Sequence, residues 1–316
     1  MDDILIRLTA KKQQLDAYKP FPVELIKNLE EWFRIELTYT SNAIEGNTLT
    51  RQETALVVDE GITVQGKSLE EHLEAINLAK AFDFIKTLTT KTKKDITNGL
   101  VLGIHRIILD KIDDVNSGRF RTVAVRLKGS ETILPNAVKV PELMNEFIDW
   151  LQNNNLDHPI KMAVDAHFKF VSIHPFVDGN GRTARLLMNL ILMQGGYPPV
   201  IVRKEDREEY IKSLEKGQTK KDLDGYYKFM FDSLDRSLDI YLEAVVPEKV
   251  SVLEPNLNQR FYTTDDVAKM LKIDPESVRR YVRSGKLRAM KLGGRFIRIE
   301  KIDLDRFIEE LKTKKI

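Results

Sequence analysis

The sequence predicts a mainly α-helical protein with one short β-hairpin among its helices and a small C-terminal domain of different character. Three observations predict it. Apolar residues recur at helical spacing through most of the first 245 residues. One stretch, 118–140, switches to alternation. Past about residue 260 the charge balance reverses. The chain has 316 residues, 42% of them hydrophobic, which suits two or three domains with at least one sizeable core. The expected boundaries are an N-terminal helical region at 1–94, a second helical domain at 95–245, a linker at 246–260 and a C-terminal domain at 261–316.

The elements follow in order. Residues 23–45 place Leu25, Ile26, Leu29, Trp32, Phe33 and Leu37 on one helical stripe, and Gly46 suits its stop. Further helices are expected near 51–59, 68–89, 95–110, 141–153, 159–173, 181–195, 205–215 and 222–245. Pro141 suits a first turn, and Gly195–Gly196 a stop. Between helices, Thr122 to Leu127 alternate and turn at Lys128–Gly129–Ser130, which reads as a hairpin or flap. Such a hairpin is marginal alone and must lean on the helical body. Pro247 and Pro255 break the helical period at the linker.

The C-terminal stretch has its own logic. Thr263 or Thr264 caps a helix through Leu271, and Pro275 opens a second that runs to Gly285. Leu287–Ile299 then alternates around Gly293–Gly294, and a last helix starts near Asp303. Helix, short turn, helix, hairpin is a winged helix-turn-helix pattern. Residues 255–316 hold 16 basic and 9 acidic side chains, a charge of +7, which leaves −5 on residues 1–254. Arg279, Arg280 and Arg283 on the second helix, and Arg295 at the wing turn, are placed to meet DNA. The same basic face also suits protein contacts or a homodimer.

Several classes are excluded. With no cysteine there is no disulfide scaffold, thiolate metal site or cysteine nucleophile. No HExxH, GxSxG or GxxxxGK[ST] pattern occurs. The opening MDDILIRLTAKKQQL lacks the form of a signal peptide, and no apolar run approaches the ~20 residues a bilayer requires. The expectation is a soluble cytoplasmic protein with no membrane partner. His72 and His105 sit in apolar helical runs and read as structural, and His167, seven residues before His174, is too far along the helix to suit a zinc pair with it.

The densest chemistry is at 174–185, HPFVDGNGRTAR. A helix delivers His174 and Pro175 ends it. Gly179, Asn180 and Gly181 form a small loop directly before the next helix, and such a junction gathers backbone N–H groups and partial positive charge. Arg182 and Arg185 lie in the first turns of that helix, where the macrodipole disfavours cations unless an anion is present. Asp178 is a hard oxygen ligand of the kind Mg²⁺ takes beside phosphate. His174 can be neutral near pH 7 and accept a proton from a hydroxyl. Together these residues describe phosphoryl or nucleotidyl transfer.

HPFVDGNGRTAR also matches the Fic motif, HPFx(D/E)GNGRxxR, at every specified position, and Gly118–Arg119–Phe120–Arg121 and Tyr210 agree on the flanks. The resemblance spans about 95–235. It implies a Fic-type helical domain that transfers AMP from ATP to a Ser, Thr or Tyr hydroxyl of a target protein. By resemblance His174 would deprotonate the hydroxyl and Asp178 would hold Mg²⁺. Gly179, Asn180 and Gly181 would cradle phosphates, and Arg182 and Arg185 would bind the triphosphate. Tyr210 reads either as a base-stacking residue or as core. The 122–135 flap would align the target by strand addition. Doc-type relatives, which phosphorylate, carry a lysine late in the phosphate loop; this chain has Gly179–Asn180–Gly181 there.

Residues 41–46, SNAIEG, raise a separate expectation. On spacing alone Glu45 is an acid beside a glycine stop, in mild conflict with the helix dipole. The run resembles the Fic inhibitory motif, (S/T)xxxE(G/N), with Ser41, Glu45 and Gly46 in place. That resemblance implies that Glu45 pairs with Arg185 and obstructs the γ-phosphate. The C-terminal domain resembles excisionase and MerR-type DNA-binding domains. The alternative reading is a DNA-binding regulator whose Fic-like body binds nucleotide without significant transfer.

Overall fold

The structure, a computed structural model, describes residues 2–127, 129–154, 158–245, 261–292 and 296–313. The expected linker at 246–260 and Arg295 lie outside them. By contact the chain divides into two compact units, Met1–Lys19 with Glu31–Glu243, and Pro20–Glu30 with Ala244–Ile316.

The helices in order are α1 (Asp2–Asp16), α2 (Val23–Glu45), α3 (Arg51–Asp59), α4 (Leu69–Lys86), α5 (Asn98–Ile108), α6 (Val140–Asn153), α7 (Pro159–Ile173), α8 (Asn180–Gln194), α9 (Arg207–Lys220) and α10 (Asp224–Val245). Several starts have visible local causes. Thr50 and Ser68 form capping boxes with Glu53 and Glu71 at the heads of α3 and α4. His158 caps α7, and Pro159 occupies its first turn. The end of α2 is a Schellman turn: Asn47 N–H donates to Asn42 O and Gly46 N–H to Ala43 O, with Gly46 at φ 113°.

The first unit is built on the pair α7 and α8, its most extensively packed helices. On one side α4 packs against α8 and α5; on the other α6 packs against α7. Phe170, Phe176, Leu187, Leu190 and Phe147 are buried in this core. The loop 174–179 joining α7 to α8 is therefore gripped from both ends by the best-packed part of the unit.

The flap differs from the expected ladder. Among the described residues of 119–136 no strand is assigned; they run as loop, with a bend at Val123 and a turn at Gly129. Side chains take the hydrogen bonds that a cross-strand partner would have taken. Arg121 donates to the carbonyls of Val123 and Pro135. Glu215 of α9 accepts from Ser130 Oγ and Glu131 N, and Thr132 reaches Gln218. The flap thus leans on α9 rather than pairing with itself.

In the second unit β1 (Phe261–Tyr262), α11 (Thr264–Leu271), α12 (Pro275–Arg283), β2 (Met290–Leu292), β3 (Phe296–Glu300) and α13 (Lys301–Thr313) follow in order. The strands form an antiparallel sheet, order β1-β3-β2, with Lys291 opposite Ile297 and Tyr262 opposite Ile299. The sequence pattern contained the wing, β2 and β3, but not the added strand β1. Thr263 makes a capping box with Asp266, and Asp274 caps α12. Val267, Val278, Leu287, Ile299, Leu304 and Phe307 close a small core of their own. No described helix is long and apolar enough to cross a membrane.

Candidate active site

The site is built around the junction of α7 and α8. His174 ends α7 in a left-handed conformation, φ 52° and ψ 61°, which costs an L-residue roughly 1–2 kcal/mol. The turn is held open by specific bonds. His174 N–H donates to Phe170 O, Arg121 Nε donates to His174 O at 2.8 Å, and Arg121 N–H donates to Pro175 O. The His174 ring is half-buried, with Nδ1 3.4 Å from Val171 O. A carbonyl only accepts, so this contact favours the Nδ1–H tautomer and leaves the Nε2 lone pair outward. Burial holds the imidazole below its ordinary pKa, so it is neutral at pH 7 and able to take a proton.

Gly179, at φ 74°, starts α8 with no side-chain cap. The first N–H groups of α8 therefore have no capping side chain, which is the condition for an anion site. Asn180 does not offer its side chain to that site. Its Oδ1 accepts from Phe176 N–H and its Nδ2 donates to Phe176 O, both at 2.9 Å, so it closes the 176–180 loop from within.

What lies at the anion site is Glu45. Its Oε1 accepts from Arg185 Nη2 at 2.6 Å. A Cβ on Gly181 would collide with that same carboxylate, so only glycine permits so close an approach. Arg185 is 5% exposed. Its Nε donates to Ser41 Oγ at 2.8 Å and its Nη2 also to Ser41 O at 3.0 Å. Burial works against its charge, but Glu45 and Tyr210 together hold the guanidinium pKa above its ordinary value. Arg207 of α9 donates to Ile44 O at 2.7 Å, placing a cation on the last turn of α2.

Three side chains expected at the nucleotide have protein partners in this structure. Arg182 is 2% exposed, with Nη1 on Glu74 at 2.6 Å and Nη2 on Asp178 at 2.9 Å. Both terminal nitrogens are engaged by carboxylates, so Arg182 ties α4 to the loop. Asn180, as above, braces the loop with its side chain. Tyr210 is 1% exposed and hydrogen-bonded to His167 Nε2 at 2.9 Å. Its ring packs 5.7 Å from Phe229, so of the two readings of Tyr210 the packing agrees with core.

Other residues enter the site that spacing did not single out. His105 accepts from Gly118 N–H at Nδ1 and so donates from Nε2 to Asp178 O, each at 3.0 Å. Its ring stacks on Phe176 at 3.6 Å. One imidazole thus pins the motif loop to the start of the flap, and burial drives its pKa down to about 4. Glu74 receives Arg182 and also Asn47 Nδ2 at 2.9 Å, linking the end of α2 to Asp178 through two ion pairs. A His on an apolar helix face and a Glu in an acidic helix carry no distinctive sequence signal.

Among the described residues no cluster of three metal-ligating side chains occurs. Asp178 nevertheless fits Mg²⁺: its side chain is 65% exposed and Arg182 engages only Oδ2. One carboxylate beside substrate phosphates is the usual Mg²⁺ arrangement.

In the second unit Arg279 and Arg283 both pair with Glu276, the former at 3.3 Å. Arg280 lies on the same exposed helix and donates to Ser277 Oγ at 3.2 Å.

The Fic/DOC family model matches residues 95–192, and a helix-turn-helix domain model matches 261–312. The protein adenylyltransferase Fic of Aedes aegypti is 38% identical over 240 residues, covering 75% of this chain and 47% of that protein. That of Nematostella vectensis is 35% identical over 242 residues, covering 76% and 56%. The chain spans about half the length of the curated relatives it matches. Among solved structures, Fic-1 of C. elegans superposes with a TM-score of 0.69 at 33% identity, over 77% of this chain and 71% of that one. A Fic-domain signaling protein of Bacteroides thetaiotaomicron gives 0.69 at 27% identity, over 78% and 100%.

Proposed function

This chain belongs to the Fic/DOC family, and from that premise we propose that it is a protein adenylyltransferase that holds itself inhibited through Glu45. The reaction moves AMP from ATP to a Ser, Thr or Tyr hydroxyl of a target protein. His174 Nε2 takes the hydroxyl proton. The oxygen attacks the α-phosphorus, the bond from that phosphorus to the bridging oxygen of the β-phosphate breaks, and pyrophosphate leaves. Asp178 would hold Mg²⁺, which supplies charge neutralisation to the phosphates. The uncapped N–H groups at Gly179 to Gly181 and the Arg185 guanidinium receive the polyphosphate. The flap presents backbone groups along which a target segment can lie.

One observation carries this reading: the Glu45 carboxylate rests on Arg185 and against Gly181, at the uncapped start of α8. An anion is already drawn to the place where the chemistry requires one. The Glu45 side chain keeps 37% of its surface in solvent, so it is a removable plug rather than a buried core pair. Asn47, through Glu74 and Arg182, joins the same α2 terminus to Asp178.

The test uses ATP labelled at either end. In the Glu45→Gly chain, α-label should appear on protein and γ-label should not, and His174→Ala should abolish it. Transfer of the γ-label would make the enzyme a kinase, and α-label surviving in His174→Ala would remove His174 as base.

The helix-turn-helix unit supports a second, compatible activity. The match to that domain and the exposed arginines of α12 favour DNA as a partner through phosphate contacts.

A further inference from the structure

The flap has no ladder of its own, yet it is held at two places. At its base the Arg121 guanidinium spans both limbs, donating to Val123 O at 3.1 Å and Pro135 O at 2.6 Å, and it reaches His174 O at 2.8 Å. Farther out the flap rests on α9. Glu215 Oε1 accepts from Ser130 Oγ at 2.6 Å and from Glu131 N–H at 2.9 Å. Ser130 Oγ in turn accepts from Thr132 N–H at 3.1 Å. Gln218 Oε1 accepts from Thr132 Oγ1 at 3.0 Å, which turns its amide nitrogen to α7, where it donates to Ser172 Oγ at 3.3 Å. Ser172 stands two residues before His174. This outer anchor uses one limb only, residues 130–132. Among the described residues nothing bonds the backbone of Ala124, Val125 or Arg126 on the other limb. Thr122, Val123, Ala124 and Arg126 are exposed there.

We infer that Glu215 and Gln218 are positioning residues for the acceptor: by tying the 130–132 limb to α9 they hold the other limb, around 124–126, as the edge along which a target segment pairs in register with His174. Strand addition needs a template whose N–H and C=O groups already point one way. Two limbs without cross-strand bonds do not supply one by themselves. Here side chains of a packed helix take the place of the missing ladder. Gln218 acts at both ends of the problem, because one amide touches the flap and the helix that delivers the base. The Ser130 hydroxyl and the Glu131 N–H hold the Glu215 carboxyl below its ordinary range, so it stays charged at pH 7. Both residues lie on α9, outside the Fic/DOC match at 95–192. The inference rests on the reading of the flap as the docking edge for the target.

The test is made in the Glu45→Gly background, with α-labelled MgATP and an array of peptides carrying Ser, Thr or Tyr as acceptors. For the peptide labelled most strongly, Glu215→Ala should lower kcat/KM about tenfold. MgATP affinity, measured by calorimetry, should stay within about twofold. Glu215→Gln keeps an oxygen that accepts from Ser130 and Glu131, and should restore peptide transfer to within about threefold of the parent. Loss of MgATP affinity in step with peptide transfer, or transfer by Glu215→Ala equal to the parent, would overturn the inference. Hydrogen exchange reads the anchor itself. The Glu131 amide should be protected in the parent and exchange faster in Glu215→Ala; equal rates in both would remove the anchor. If Glu215→Ala does not fold, Gln218→Leu, which loses both bonds and keeps the volume, carries the same comparison. A Glu45→Gly parent that labels no peptide would instead sink the reading of the flap as a docking edge, and with it the roles of Glu215 and Gln218.

Discussion

His174 opens the loop that His105 bonds at Asp178 O, and the same force, burial, sets the protonation of both. For His174 the consequence is kinetic. A base must be neutral to act, and its pKa is held below the ordinary 6.5. The acid limb of the rate–pH profile for AMP transfer in the Glu45→Gly chain should therefore have its midpoint below 6.5; a midpoint above it would place the ring in water. For His105, at about 4, and His167, at about 3, the consequence is stability. Both are neutral in the folded chain, whereas the unfolded chain protonates them below about 6.5. The unfolded state then binds more protons, so stability is intact above that value and falls as pH drops from it towards 4 and 3. Melting temperature measured across that window should decline steadily, and a flat profile would contradict the buried neutral rings. Replacing His105 with Ala removes a stacked ring and two pins, and should cost about 2–4 kcal/mol in denaturant unfolding. At this scale the sequence was partly legible. HPFVDGNGRTAR announced its loop, but which of its side chains face inward depends on Glu74, Phe176 and His167. Arg182, Asn180 and Tyr210 turned inward for that reason.

The α2 helix shows how an element converts a sequence motif into a position. Its Schellman turn at Gly46 stops the chain where Glu45 still points at α8, and Arg207 steadies the last turn through Ile44 O. Arg207→Ala removes that cation without touching Glu45 or Arg185. It should raise AMP transfer several-fold, less than Glu45→Gly does, since a carbonyl–cation contact is worth about 1–2 kcal/mol. A rate identical to the parent would mean that the end of α2 needs no support from α9. The expected limits of α2, α3 and α7 agree with the structure, because Gly46, Thr50 and Pro159 are local signals. The flap was not legible as it stands. Its partner Glu215 lies 85 residues away from Ser130, and alternation alone cannot show that a remote carboxylate will take the backbone bonds.

Across the whole molecule the charge division is the informative quantity. A body at −5 and a C-terminal stretch at +7 cancel to a bland total, and only the split indicates two tasks. The division into a helical body and a helix-turn-helix unit was readable because each carries its own hydrophobic periodicity and its own core. If Arg279, Arg280 and Arg283 each meet a phosphate, duplex DNA binding by the full chain should weaken with salt at a log–log slope near −2.7, about 0.9 per contact. A slope near zero would assign the basic face to protein contacts instead. The pairing of Glu276 with Arg279 and Arg283 would then be a resting arrangement of a solvated surface.

The central claim is that Glu45 occupies the place a nucleotide phosphate needs. It is tested most directly by the rate at which purified chain incorporates α-labelled AMP at saturating MgATP, before and after Glu45→Gly. The prediction is a rise of at least about tenfold with an unchanged melting profile. An equal or lower rate in a folded Glu45→Gly chain would contradict it.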